Sequence, residues 1–145
     1  MTKKFFLFSA ILLICLGTVF SQPNRNIQAQ AGNSFAVVGD WLYSDANYFV
    51  KIDVDYDGDM EVKLMEQNHI ETEWEGYWTA TDKQLFFNAY KKETKDYSHS
   101  FFNESKTRVN ERWVFDYTLT DQGILFTCAN LPGTAAKNSL YSRRW

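Results

Sequence analysis

The residues best spaced for chemistry are alternating aspartates that surround one glycine, Gly58. They are Asp53, Asp55, Asp57 and Asp59. This spacing matches the opening of a helix-loop-helix calcium site, which also needs a bidentate glutamate at its twelfth position. The twelfth residue is Leu64, and the residues between the acids alternate apolar and charged as in a strand. We therefore predict a solvated acidic hairpin and no metal site.

Other residues with catalytic or ligating chemistry are scattered along the chain. His69 and His99 stand alone, and no nucleophile motif, phosphate-binding loop or Cys/His dyad is present. Glu73 and Glu75 fall on the charged side of a predicted strand. The net charge is −3, without a basic stripe that would favour nucleic acid. We predict a protein that is not an enzyme, has no cofactor and binds no nucleic acid.

The N-terminus has the pattern of a secretory signal peptide over residues 1–21. Lys3 and Lys4 precede an apolar run over residues 5–20, and cleavage is expected before Gln22. That run is shorter than the roughly 20 residues that span a bilayer. The pattern predicts a secreted or periplasmic protein, with no membrane insertion after cleavage.

A lipoprotein is the alternative, with Cys15 as the acylated residue. The preceding Ile14 stands where a small residue is expected in that motif. After cleavage, residues 22–33 are polar and predict a flexible segment, and residues 34–145 form the folded domain. Cys128 is then the remaining cysteine, and its apolar strand pattern predicts a buried, inert thiol.

Short alternating segments predict an all-β, antiparallel meander with eight strands. They are residues 40–45, 48–55, 60–66, 70–81, 84–92, 111–119, 124–130 and 138–145. In the first hairpin, a three-residue loop over residues 56–58 pairs Val54 with Met60 and Ile52 with Val62, which keeps the apolar face continuous. Closing the sheet into an up-and-down β-barrel removes its edges.

Aromatic residues make up 17% of the chain, and several fall on the apolar faces of these strands. The candidates to line a ligand cavity are Trp74, Trp78, Phe87, Trp113, Phe115, Tyr117 and Phe126. The alternative is that these rings simply fill a narrow barrel. The sequence does not separate the two interpretations.

Residues 93–110 interrupt the strand rhythm and predict a long polar loop. Three aromatic side chains lie within it, namely Tyr97, Phe101 and Phe102. They favour a lid over one end of the barrel, and a loop whose rings merely dock on the barrel wall is the alternative.

Several motifs between residues 39 and 145 are similar to those of small bacterial lipocalin-like proteins, a branch of the calycin superfamily. They are Gly39-Asp40-Trp41, the Asp57-Gly58 hairpin, Glu75-Gly76-Tyr77-Trp78 and Leu85-Phe86-Phe87. The resemblance implies an eight-stranded barrel whose base is closed by an arginine packed across Trp41. Arg143 or Arg144 would supply that arginine, with Gly39 beside it.

The resemblance also implies a function. We expect a secreted or periplasmic lipocalin-like protein that binds a small apolar or amphipathic molecule in its barrel. The alternative is a non-enzymatic interaction module with a protein partner, such as an inhibitor of a secreted hydrolase or an envelope accessory protein.

Overall fold

The computed structural model describes residues 33–67, 69–98 and 103–144. Within them the chain is all-β, and each strand pairs antiparallel with the next, while β8 also pairs with β1 to close the ring. The strands are β1 Gly39–Ser44, β2 Tyr48–Val54, β3 Asp59–Glu66, β4 Ile70–Ala80, β5 Gln84–Asp96, β6 Asn103–Thr120, β7 Gly123–Thr127 and β8 Ser139–Arg143. Short 3-10 helices span Asn33–Val37 and Gly133–Ala136. The predicted signal peptide and most of the predicted flexible segment lie outside the described residues.

The register predicted for the first hairpin is confirmed. Val54 pairs with Met60 and Ile52 pairs with Val62, so the buried face continues across both strands. Gly58 has φ +95°, a conformation that side chains other than hydrogen disfavour, and it closes the turn. Facial matching of apolar residues therefore selected the loop length correctly.

The long loop predicted over residues 93–110 is wrong. β5 continues to Asp96 and β6 already begins at Asn103, so residues 93–96 and 103–110 belong to two paired strands. Charged residues occupy one face here and hydroxyl side chains much of the other, which hides the usual apolar alternation. Cross-strand ion pairs, such as Lys106 with Glu93 at 3.4 Å, bridge the two strands instead.

This hairpin extends beyond the closed part of the ring. β7 pairs with β6 only from Asp116 to Thr120, whereas β5 pairs with β6 as far as Asn103. Among the described residues, the first two thirds of β6 thus pair on one side only. The wall formed by β4, β5 and β6 therefore continues past the end of the ring at the Asn103 end of β6.

The inner face of the ring carries aromatic side chains in mutual contact. Ring centroids of Trp113 and Phe115 are 6.2 Å apart, those of Phe115 and Phe126 are 5.4 Å apart, and those of Phe126 and Tyr141 are 5.2 Å apart. All of these residues are essentially buried. The contacts link the neighbouring strands β6, β7 and β8, so aromatic packing forms the buried inner face on this side of the ring.

In the described part of the chain, no helix has the length and apolar character needed to cross a bilayer.

Candidate functional site

The aromatic residues predicted to bind a ligand all lie on the inner face of the ring and are nearly inaccessible. Their exposed fractions range from 0% for Phe87, Phe115 and Phe126 to 9% for Trp78. Tyr117 lies near the β4–β5 turn, since its hydroxyl donates to the Thr81 carbonyl at 2.6 Å. The structure thus brings these residues together in one buried core.

The described cavities lie elsewhere. One, of about 600 Å³, lies beside the β4–β5 turn and is bordered by Lys83, Leu119 and Leu125, together with Tyr117. Another, of about 450 Å³, lies beside the irregular pairing of β5 and β6 and is bordered by Tyr90 and Arg108. Of the predicted ligand residues, Tyr117 alone borders either of these two cavities.

The inner face changes character where the ring gives way to the extended wall. Trp74 on β4 pairs with Lys92 on β5, and Thr72 pairs with Thr94 one step further out. Lys92 also pairs with Thr107 on β6, which is exposed. Residues paired across strands share one face of a sheet. The open end of the ring is therefore lined by hydroxyl groups and one ammonium group, above a floor of indole rings.

The floor consists of two tryptophans in edge contact. The ring centroids of Trp74 and Trp113 are 4.9 Å apart with an interplanar angle of 61°. Trp113 is fully enclosed, while Trp74 is 8% exposed and lies nearer to the polar residues. An apolar group entering from the open end would meet Trp74 first.

The indole N–H of Trp74 is buried and donates to no acceptor in the described structure. The other described tryptophans are all paired: Nε1 of Trp41 donates to Val37 O at 2.7 Å, that of Trp78 to Asp55 O at 2.8 Å and that of Trp113 to Glu111 Oε2 at 3.0 Å. A buried donor without a partner costs about 1–3 kcal/mol. Such a group at the rim of a polar opening is a candidate ligand contact.

The ammonium group of Lys92 lies over this indole. Nζ is 5.0 Å from the centroid of the Trp74 ring, which is within the range of a cation–π contact. No carboxylate among the described residues forms an ion pair with Lys92, although its neighbour Lys91 is paired with Glu75 and Glu93. Lys92 is therefore a cation on the inner face that contacts an aromatic ring and forms no ion pair with a described residue.

On the outer face of the same wall, lysines and glutamates form ion pairs with one another. Lys63 lies 2.9 Å from Glu73, and Lys95 lies 3.1 Å from Glu93 and 3.3 Å from Glu71. The hydrogen bond from Lys95, followed by those with Glu104 and Lys106, holds the pKa of Glu93 down at about 2. Charges on the outer face thus neutralise one another, in contrast to Lys92 on the inner face.

Residues predicted to close the base lie at the other end of the ring. Arg143 is the arginine that lies over Trp41, with its guanidinium carbon 5.5 Å from the ring centroid. A side chain on Gly39 would meet this guanidinium at 3.1 Å. Arg144 instead extends the strand pairing through its backbone N–H, which donates to Asp40 O at 3.0 Å.

The predicted lid is described only in part. Tyr97 follows the last residue of β5, is 46% exposed, and its backbone N–H donates to the His69 carbonyl at 2.7 Å. Phe101 and Phe102 lie outside the described residues. Tyr97 therefore lies at the tip of the extended wall, on the same side as the Trp74 floor.

Two further features bear on chemistry. The described residues include no group of three or more His, Cys, Asp and Glu side chains that could hold a metal ion. Cys128 is 1% exposed, and burial raises the pKa of its thiol, which disfavours the reactive thiolate.

The sequence did not indicate Lys92, Thr72 or Thr94 as site residues. Lys92 joins Trp74 because an extra residue near Tyr90 shifts the β4–β5 register between Glu75 and Gly76. If β5 alternated without this extra residue, Lys92 would be interpreted as the charged residue at the end of a strand. The available signal was the adjacent pair Lys91-Lys92, which follows a tryptophan-rich strand in the sequence, and it does not fix which lysine points inward.

No family model matches the sequence, and the searches of curated proteins and of solved structures return no match.

Proposed function

We propose that this protein is an exported, lipocalin-like binding protein that holds a small amphipathic molecule at the open end of its strand ring. The observation that carries the proposal is the contact between Trp74 and Lys92, where a buried indole with a free N–H meets an unpaired ammonium group. An apolar floor beside polar walls suits a molecule with both characters.

The packing of the core supports this position for the ligand. The aromatic rings on the inner face of β6 and β7 are buried and pack against one another, so an apolar guest deep in the ring would have to displace them. The rim near Trp74 instead offers partly exposed side chains, including Lys92 and Thr94. Burial of apolar ligand surface there contributes about 25 cal/mol per Å². The site thus favours an amphipathic molecule over a wholly apolar one.

Tryptophan fluorescence tests the proposal, because Trp74 and Trp113 form the floor of the site. The purified protein is titrated with dodecanoate and with dodecanol, each below its micellar concentration, and we expect saturable changes in emission. In Thr94→Trp, a large ring fills the rim, and affinity should fall at least about tenfold, which corresponds to about 1.4 kcal/mol. Thr79→Trp is the matched control, since Thr79 lies exposed on the outer face of β4.

Two results would refute this function. One is the absence of a saturable response to either probe in the wild-type protein. The other is a Thr94→Trp variant that binds as well as Thr79→Trp, since the ligand would then lie away from the rim.

A second candidate function is an interaction module with a protein partner, and the free side of β6 favours it. Residues 103–115 pair only with β5 within the described structure, and a strand with one free side can pair with an added strand. The side chains along this edge include Lys106 and Arg108, which are exposed.

Proline substitution tests the second candidate. Alternate residues of an edge strand direct their N–H groups away from the sheet. Of the two variants Lys106→Pro and Thr107→Pro, one therefore removes an N–H that is unpaired within the sheet, and the other removes an N–H that pairs with β5. A stoichiometric partner from the extracytoplasmic fraction should bind the wild type and lose affinity for the folded proline variant. Equal capture by both proline variants would exclude pairing at this edge.

A further inference from the structure

We propose that the ligand bound at the open end carries a carboxylate, which accepts a hydrogen bond from Trp74 Nε1 and pairs with the ammonium group of Lys92. This inference rests on the proposed binding function and adds the charge and class of the ligand's polar group. It follows from two independent features of the same pair of residues.

The first feature is the missing acceptor. Of the four tryptophans in the described part of the chain, Trp74 alone leaves its Nε1 without an acceptor, although only 8% of the residue is exposed. Trp41, Trp78 and Trp113 all donate to oxygen atoms. Buried polar groups are paired in most folded proteins, so an unpaired one beside an opening indicates an acceptor supplied from outside.

The second feature is the missing counter-ion. Lys51, Lys63, Lys91, Lys95 and Lys106 each form at least one ion pair with a carboxylate on the outer face. Lys92 lies on the inner face and forms none with a described residue, and its Nζ lies over the Trp74 ring instead. Its flexible stem allows the ammonium group to turn toward an arriving anion without breaking an existing ion pair.

A carboxylate satisfies both groups at once. It offers two oxygen atoms, one for the indole N–H and one for the ammonium group, and charge-assisted hydrogen bonds are the stronger kind. A hydroxyl or carbonyl group would pair with the N–H but leave the cation unbalanced. A quaternary ammonium group would be repelled by Lys92.

One acid on the same face limits the charge of the ligand. Glu111 pairs across the strands with Ala89, which is buried on the inner side, and its Oε2 accepts from Trp113 Nε1 at 3.0 Å. Its carboxylate thus accepts a hydrogen bond from the floor of the site, and its negative charge disfavours a second anionic group on the ligand. The site therefore favours a monoanionic carboxylate attached to an apolar chain.

The test compares three probes with one chain length and different polar groups, which are dodecanoate, dodecanol and dodecyltrimethylammonium. Calorimetric titration of the wild-type protein should show dodecanoate binding about tenfold more tightly than dodecanol, and dodecyltrimethylammonium binding least. Lys92→Gln should remove the advantage of dodecanoate and leave dodecanol affinity unchanged. Lys137→Gln is the matched control, because Lys137 is exposed on the β7–β8 connection.

The indole N–H provides a second measurement. In ¹H–¹⁵N spectra, dodecanoate should move the Trp74 indole signal further downfield than dodecanol does, as expected for a charged acceptor. Trp74→Phe keeps an aromatic floor and removes the donor, so it should weaken dodecanoate selectively. Trp78→Phe is its control, since the N–H of Trp78 donates to Asp55 O at 2.8 Å and lies away from this site.

The outcomes separate the two proposals. If dodecanoate and dodecanol bind equally and Lys92→Gln changes neither, the carboxylate inference is overturned and the binding function stands. Preferential binding of dodecyltrimethylammonium also overturns it, by reversing the sign of the charge. If none of the three probes binds, both proposals fail.

Discussion

Arg143 and Trp41 lock the seam at which the ring closes. They are paired across β8 and β1, and the guanidinium carbon lies 5.5 Å from the centroid of the indole ring. Nη2 of Arg143 also donates to Val38 O at 2.9 Å, while Nε1 of Trp41 donates to Val37 O. The register of this seam includes just two residue pairs, against six between β1 and β2. Side-chain contacts therefore supplement a short backbone ladder.

Replacement of Arg143 by alanine should destabilise the protein more than the same change at Arg144. The first removes a cation–π contact and a charged hydrogen bond, together worth about 1–2 kcal/mol. Arg144 contributes its backbone N–H, which alanine retains. Urea denaturation of both variants measures the difference, and equal midpoints would show that the arginine over Trp41 does not stabilise the seam.

Gly76→Ala should be among the most destabilising single-methyl additions in this chain. A Cβ at this position would lie 2.2 Å from the backbone oxygen of Asn88 and 2.7 Å from a ring carbon of Phe87. Relief requires β4 and β5 to separate where their register already shifts, so we expect a loss of about 3 kcal/mol or failure to fold. Thermal unfolding and circular dichroism provide the measurement.

Gly58→Ala is the comparison for that prediction. Gly58 has φ +95° in a turn, so alanine there adds backbone strain of about 1–2 kcal/mol without forcing strands apart. If Gly58→Ala destabilises the protein as much as Gly76→Ala, the close approach of β4 to β5 is not what requires glycine at position 76.

The sequence predicted those parts of the fold in which apolar residues alternate. Matching Val54 with Met60 was enough to select the register of the first hairpin. It failed between residues 93 and 110, where Glu93 and its lysine partners replace apolar contacts. Ion-pair ladders have no hydrophobic period, so a strand that depends on them resembles a loop in sequence.

The sequence predicted the aromatic residues of the candidate site but not its polar residues. Trp74 and Trp113 fall on apolar strand faces that the alternation reveals. Whether Lys91 or Lys92 faces inward depends on the bulge near Tyr90, and no residue pattern marks that bulge. The missing partner of the Trp74 N–H is a property of three-dimensional packing, which no sequence pattern indicates.

Trp74→Phe should cost less stability than Trp113→Phe. Both changes replace a buried indole with a smaller phenyl ring, but only the change at Trp113 removes a hydrogen bond, which is the one to Glu111. Trp74→Phe instead removes an unpaired buried donor, so the two variants should differ by about 1–3 kcal/mol in the free energy of unfolding. Guanidinium denaturation of the ligand-free protein measures this difference. Equal losses would indicate that the Trp74 N–H has an acceptor in solution.

Glu93 should make the stability of the protein depend on acid pH. Lys95, Lys91 and Lys106 all lie within 3.7 Å of its carboxylate, and its pKa falls from the ordinary 4.5 to about 2. Because the folded-state pKa lies below the unfolded one, the carboxylate favours the folded state fully above about pH 4.5. That contribution is lost progressively as the pH falls toward 2.

Urea denaturation of the wild type and of Glu93→Gln at about pH 7, 4 and 2.5 tests this dependence. We expect the wild type to be the more stable at neutral pH and its advantage to shrink steadily as the pH falls below 4.5. Asp121→Asn is the control, because Asp121 is exposed in the β6–β7 turn and forms no ion pair with a described residue. An advantage of the wild type over Glu93→Gln that stays constant across these pH values would mean that the three lysines do not stabilise the ionised carboxylate. The long β5–β6 hairpin would then depend on its backbone ladder rather than on its charges.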